Sequence, residues 1–246
     1  IENVVAGTQT NPVKFITTSA KFASLTVRSS KYLQFENFTI NGDLQLNLPS
    51  YTEGVVIEDC SNVVIQYFSI TNIRLTGVKI IKSLKTAIRN NTISSEEVSL
   101  ASEKSNADQN VYRGSETNVD FQSGLIVDSN IFIPTGQYGS PTILVSTQDA
   151  IISNNKFSNT LTAREAILAH GDNIQIVSNN IVGYYAPGII TVKNTAFVSK
   201  NTITTYTGSK SHCFLFDNAG PQNGGVIALQ HNSCNLKATS GACYAI

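Results

Sequence analysis

Three side chains with complementary proton chemistry end successive apolar runs in this chain. His170 follows Ile167-Leu168-Ala169, Lys193 follows Ile190-Thr191-Val192, and Asp217 follows Phe214-Leu215-Phe216. An imidazole, an amine and a carboxylate in one column can relay a proton, and cations nearby can hold enolate-like negative charge as it develops. Earlier runs bring Asp59, Lys82 and Ser146 to the corresponding place, and Arg164 adds a cation shortly before His170. His170, Lys193, Asp217 and Lys82 are therefore the catalytic candidates. Arg164 is a candidate for binding an acidic substrate, together with Tyr184, Tyr185 and Tyr206, whose rings could stack on sugars or could equally pack inside. The competing reading of the column is a solvated polar edge, in which Lys193 and Asp217 form a surface ion pair of small value.

Other chemistry is poorly provided for. The three histidines and four cysteines show no metal-ligand spacing. No Gly-x-Ser-x-Gly elbow or phosphate loop occurs. Glu53, Glu58, Asp59, Asp128, Asp149, Asp172 and Asp217 could supply a Ca²⁺ site or paired-carboxylate hydrolysis, yet none forms a recognisable pair. No cofactor is expected beyond that possible Ca²⁺.

The column exists only if the apolar runs stack, and a returning phrase says that they do. An apolar strand leads to Asn, then any residue, then Ile, Phe or Val: Asn91-Thr92-Ile93, Asn130-Ile131-Phe132, Asn155-Lys156-Phe157, Asn180-Ile181-Val182 and Asn201-Thr202-Ile203. Asn130 to Asn155 and Asn155 to Asn180 are both 25 residues, and Asn180 to Asn201 is 21. Periods of this size mark stacked repeats. Short β runs within each repeat predict an all-β, right-handed parallel β-helix of about eight coils with three short strands per coil. Stacked Asn side chains would bond to one another and to the backbone, and Asn tolerates the left-handed conformation of a sharp bend. Asn37 fits this ladder with a shifted register, and Tyr67 replaces Asn in the second repeat. Later repeats start near Thr142, Glu165, Gly188 and His212. Residues 1–246 read as a single domain, with Ile1 to Phe22 capping one end and loop excursions at 41–53 and 94–118.

Composition narrows the partners. Formal net charge is zero, which gives no electrostatic case for nucleic acid or an anionic membrane. No apolar run is long enough to span a membrane, and no signal peptide is visible. The chain begins at Ile1 and contains no Met, so it reads as a mature form or an excised fragment. Cys213, Cys234 and Cys243 cluster near the end, where Cys213 or Cys243 could pair with Cys234 and staple an open solenoid end; Cys60 reads as a buried free thiol. The sequons at Asn37 and Asn90 fall in strand or ladder positions and read as chance occurrences.

The repeats resemble the pectate-lyase-like superfamily of right-handed parallel β-helix proteins across most of the chain. The stretch from Ile167 to Asn180, which contains His170-Gly171, is similar to a segment of alginate and chondroitin lyases of this fold. In that family an Arg precedes the His-Gly and a Lys lies one turn earlier; here Ala169 and Ser146 or Thr147 stand in those places, so the lyase pair is missing. Asn-Thr-Asp, Gly-His-Gly and Arg-Ile-Lys signatures like those of polygalacturonases are absent. The resemblance implies an extracellular, polysaccharide-associated protein, with a lyase-like enzyme acting on an acidic polysaccharide as its catalytic form. The alternative is a non-catalytic carbohydrate-binding adhesin, a surface or wall protein, or a viral fibre segment. Either would be a monomer or homotrimer located outside the cell or on a cell or virion surface.

Overall fold

In a computed structural model, the described residues are 1–5, 7–45, 53–96, 98–103, 123–135, 141–162, 165–184, 188–192, 194–207, 212–216 and 226–238. They wind into a right-handed parallel β-helix with three parallel sheets of eight, nine and nine strands. The first coil runs through Leu25–Arg28 in sheet 1, Lys31–Glu36 in sheet 2 and Thr39–Asn41 in sheet 3. The next repeats it through Val55–Glu58, Ser61–Gln66 and Ser69–Ile73. Val13–Ile16 and Lys21–Phe22 pair in parallel with Lys31–Glu36 and Thr39–Asn41. The N-terminal segment thus adds most of a further coil, where the sequence suggests only a cap.

Alternation along each strand sends every second side chain into the lumen. In sheet 1 the row Val27, Ile57, Ile80, Val145, Ala169 and Val192 is almost wholly buried. Phe35, Ile65, Ile88, Val127, Ile152 and Ile176 do the same in sheet 2. Like residues fall on like residues, so aromatic rings meet face to face: Phe15 on Phe35 at 4.9 Å, Phe38 on Phe68 at 5.0 Å, and Phe132 on Phe157 at 5.1 Å between centroids.

The corner from sheet 2 to sheet 3 has two residues in each of the eight coils from Asn37-Phe38 to His231-Asn232, and four in the N-terminal segment. The first of the two is always left-handed, with φ from 53° to 62° at Asn37, Tyr67, Asn90, Ser129, Asn154, Ser178, Lys200 and His231. The second points inward. From the third coil onward it is Asn91, Asn130, Asn155, Asn179, Asn201 and Asn232. Each of the first five amides donates to the next Oδ1 at 2.9–3.0 Å, all six donate to a strand carbonyl of the preceding coil, and each Oδ1 accepts a backbone N–H. The register differs from the sequence expectation at two points. Asn179 is the buried member and Asn180 begins an exposed strand position. Asn37 and Tyr67 occupy the left-handed place, and stacked Phe38 and Phe68 take the inward place of the ladder. An aromatic ring fills that site by packing, with the Phe68 N–H still donating to Asn91 Oδ1 at 2.8 Å.

The excursion expected at 94–118 is shorter than the sequence suggests. Thr92–Ser95 and Val98–Glu103 are strands, the latter lying in sheet 1 between Thr76–Ile81 and Ile143–Val145. Leu100 points inward with no exposed surface, which completes a coil that the surrounding glutamates conceal from a reading of periodicity. In the 41–53 excursion, Gly42–Gln45 form a 3₁₀ turn; residues 46–52 and 104–118 lie outside the described set. Cys213 is bridged to Cys234 with 6.2 Å between Cα atoms, and Cys243 is outside the described residues. Cys60 is a buried thiol whose pKa is raised by burial.

Asp128 holds the corner beside the ladder. Burial alone would raise its pKa. Hydrogen bonds from Ser153 Oγ at 2.6 Å, Asn154 Nδ2 at 2.8 Å and Ser129 Oγ at 3.1 Å, helped by the Arg89 charge, outweigh that and hold the carboxyl below its ordinary 3.8. A depressed folded value contributes stability that is complete above the unfolded value and is lost as pH falls through the folded one. Asp128→Asn should therefore lower stability at neutral pH and flatten the acid limb of a stability–pH curve below 3.8. A limb identical to that of the parent protein would remove Asp128 as a contributor.

Candidate functional site

From Asn37 onward the sheet 2 to sheet 3 corner keeps two residues, after four in the N-terminal segment, whereas both corners that flank sheet 1 vary. Entering sheet 1, the chain needs two residues from Ile73 to Thr76 but runs from Asn41 to Val55 in one coil and from Phe132 to Ile143 in another. Leaving it, two residues suffice between Glu58 and Ser61, against the long connection from Glu103 to Ile126. Stacking demands no such length, and chain spent on excursions from a rigid scaffold is where binding and catalytic groups concentrate.

The outward face of sheet 1 bears this out in its burial. Lys79, Ala101, Leu144, Leu168 and Thr191 stand in one outward row, yet their exposures are only 7%, 1%, 9%, 7% and 5%. Outward residues of sheet 3 such as Ile131, Lys156 and Asn180 are exposed. This row of sheet 1 is therefore largely withdrawn from solvent although it points away from the lumen. Ala101, Leu144 and Leu168 make an apolar cluster separate from the lumen. Lys79 Nζ lies 3.3 Å from Glu53 Oε1 at the end of that row, with the lysine side chain 9% exposed and the glutamate 27%. This pair keeps a cation in an otherwise apolar row.

His170 caps the strand Ile167–Ala169 at the edge of this face. Its N–H donates to Val145 O at 2.8 Å, and the side chain is half-buried. Gly171 is required beside it, since a Cβ there would stand 1.5 Å from Thr147 O. The chain thus turns directly across the preceding coil and fixes His170 next to the Ser146 position.

The expected column is only partly a column. Glu58 pairs with Ile81, and Ile81 with Glu103, so the row that carries His170 meets Ile81. Lys82 and Asp59 come one residue later, left-handed with φ of 47° and 52°. The strands Val55–Glu58 and Thr76–Ile81 extend one residue farther than Ile167–Ala169, which moves their polar ends off the row. Lys82 is exposed at the turn. Lys193 and Asp217 follow Val192 and Phe216, which are in register with Ala169, but themselves lie outside the described residues, as do Arg164 and Tyr185. Tyr184 is a core residue with no exposed surface, its ring edge-on to Phe157 and its hydroxyl 2.9 Å from Thr142 Oγ1. It offers no face to a sugar, because its strand position points inward. Tyr206 sits opposite Lys237 in sheet 3, and its side chain lies outside the described set.

Several of the candidate acids are committed to partners: Glu58 to Arg28 at 2.8 Å, Glu53 to Lys79, Asp149 to Asn173 at 2.7 Å, and Asp128 as above. Among the described residues no three His, Cys, Asp or Glu side chains come together as metal ligands. Ala169 is inward and fully buried. An Arg at that position would face the lumen, so the lyase arginine has no equivalent there for geometric reasons as well as chemical ones.

A family model described as the right handed beta helix region matches residues 23–205. The chain belongs to this family. Members of the fold to which it is similar include the A-module of a mannuronan C-5 epimerase from Azotobacter vinelandii, at 13% identity and TM-score 0.62 over 90% of this chain and 60% of that one. An alginate lyase from a Paenibacillus species matches at 12% and 0.58, covering 97% and 87%. A surface adhesin of Streptococcus pneumoniae matches at 13% and 0.60, covering 89% and 58%. The chain thus spans roughly three fifths of the epimerase module and of the adhesin. Comparison with curated protein sequences gives no match. At these identities the likeness establishes the coil architecture.

Proposed function

We propose that this β-helix protein binds an acidic polysaccharide along the outward face of sheet 1, and works outside the cell or on a cell or virion surface. The observation that carries this reading is that, from Asn37 onward, chain length varies at the two corners beside that face and not at the ladder corner. Parallel strands about 4.8 Å apart present equivalent positions at even intervals, which suits an extended polymer with a repeating unit. The buried apolar row of Ala101, Leu144 and Leu168 would give that face a rigid base, with Lys79 and His170 supplying polar groups at its end and edge. The Cys213–Cys234 bridge supports an oxidising location, since cytosolic thiols are kept reduced. The likeness to a mannuronan epimerase and an alginate lyase supports a polysaccharide ligand, and the likeness to a surface adhesin supports a surface location.

Turnover is a second reading, favoured by the half-buried His170 fixed at the edge of that face; Lys193 and Asp217 would complete its proton relay, with Lys82, Arg164, Tyr185 and Tyr206 as outer contacts. Pectate, alginate and chondroitin incubated with the protein, with and without Ca²⁺, separate the two readings through absorbance of the unsaturated product. Retention on one immobilised glycan without product is the expected result, weakened about tenfold or more by Leu168→Asp, which places a charge in the apolar row. Product formation that His170→Ala abolishes would establish elimination. Neither retention nor product, especially with a trimer in sedimentation, would overturn the reading in favour of a fibre role.

A further inference from the structure

A recess lies on the outward side of sheet 2, near the N-terminus and away from the outward row of sheet 1. Residues 7–12 form a tight hairpin, with Gly7 bridged to Pro12, and Thr8 and Asn11 exchanging backbone hydrogen bonds at 3.0 and 3.2 Å. The hairpin overhangs the first strands of sheet 2 and encloses a groove of about 300 Å³. That volume is at the lower end of pockets that hold small ligands. Half-buried Val64 and Ile126, with buried Ala87 between them in the same row, make its apolar floor. Its polar lining is Lys85, Arg89, Asn62, Tyr32, Gln9 and Thr8, and no carboxylate is among the lining residues.

Two details make this more than a surface dip. The first is Arg89, whose Nε is buried and has no hydrogen-bond partner among the described residues. Leaving such a donor unmet is costly, more so on a charged group. The adjacent Asp128 accepts from Ser153, Asn154 and Ser129 and acts on Arg89 by attraction through space. The second detail is the left-handed column Tyr32, Asn62, Lys85, Gly124 and Asp149 at the corner between sheets 1 and 2. Its other members carry side chains, and Gly124, at φ 72°, lies against the stem of Lys85, whose Cγ would be 3.4 Å from a Cβ there. Lys85 is itself exposed and lines the groove.

We infer that this groove binds an acidic sugar unit, with Arg89 and Lys85 holding its carboxylate or sulfate and Asn62, Gln9 and Thr8 hydrogen-bonding its hydroxyls. The inference takes its ligand class from the polysaccharide reading above and adds a contact on a different sheet. Arg89 supplies planar donors that match a carboxylate or sulfate, and the Val64–Ala87–Ile126 floor supports the ring.

Galacturonate, galactose and sodium sulfate titrated separately into the intact protein, followed by amide chemical shifts, test it. Galacturonate should move resonances of Asn62, Lys85 and Gly124 saturably. Galactose should bind about tenfold or more weaker, as should galacturonate to Arg89→Gln and to Lys85→Ala, with thermal unfolding of both variants close to the parent. Equal binding of galacturonate and galactose, unchanged binding by both variants, or no saturable shift would overturn the inference. Sulfate binding as tightly as galacturonate would reduce the site to an anion hole and overturn the sugar assignment. Retention of the parent protein on the glycan columns reads the sheet 1 proposal separately, so a failure of the groove and a failure of the polysaccharide reading give different results.

Discussion

Asn179→Ala should lower unfolding stability by about 3–5 kcal/mol, whereas Asn180→Ala, one residue along, should change it by no more than about 0.5 kcal/mol. Asn179 Oδ1 accepts the Asn155 backbone N–H and side-chain amide, both at 3.0 Å, while its own amide reaches Ile152 O at 2.9 Å and Asn201 Oδ1 at 3.0 Å. Removal strands these partners in a site that is 1% exposed, with each buried orphan costing about 1–3 kcal/mol. Alanine can satisfy none of them, and no water reaches them without opening the coil. Asn180 is exposed, and its backbone N–H still bonds to Asn155 O at 2.9 Å after truncation. Urea unfolding of the two variants measures the difference. Equal losses would sink the assignment of Asn179 to the ladder.

Loss of the Cys213–Cys234 bridge comes second. It closes a separation of 21 residues, and the entropy of closing a loop of that size is worth about 3 kcal/mol. Solenoid coils contact mainly their neighbours, so the loss should stay local. In Cys213→Ala/Cys234→Ala, hydrogen exchange should quicken in Ile227–Gln230 and Ser233–Ala238, the last strands of sheets 2 and 3, and remain unchanged in Ile126–Asp128. Uniform quickening along the helix, or none anywhere, would contradict a terminal staple. Cys60 should stay unreactive towards thiol reagents in either background until the chain unfolds, because burial keeps its thiol protonated and enclosed.

The lengths of the corners connect these stabilities to function. The two-residue corner carries the ladder and has no freedom to change, since an inserted residue would break the file of hydrogen bonds from Asn91 to Asn232. Among the described residues, the corner from sheet 1 to sheet 2 carries only a short file, in which the Cys60 N–H donates to Ser83 Oγ at 3.1 Å, and a later coil lengthens it between Glu103 and Ile126. A protein built this way separates the groups that hold it together from those that meet a ligand. It can alter the second set while preserving the first.

The β-helix was legible in the sequence because stacking imposes a period, and the returning Asn with its flanking apolar residues records it. Strand alternation, the buried Cys60 and the starts of the later coils could be read for the same reason. The register could not be read where two Asn stand side by side: Asn179 and Asn180 are equivalent in composition, and only the left-handed turn at Ser178 decides which points inward. The coil containing Val98–Glu103 was hidden by its glutamates, because the inward positions there are few and the pattern is short. Tyr184 looked like a surface ring after a strand, and the pleat turned it into the core. The column of Lys82 with His170 failed because strands of unequal length bring their polar ends to different rows. The groove at Lys85 and Arg89 left no motif, since it depends on a hairpin at residues 7–12 folding over residues more than fifty positions later. Periodicity is local information repeated along a chain, so sequence alone determined the coil; the contents of each face depend on which coils meet and how far each corner reaches, and only the tertiary structure decided those.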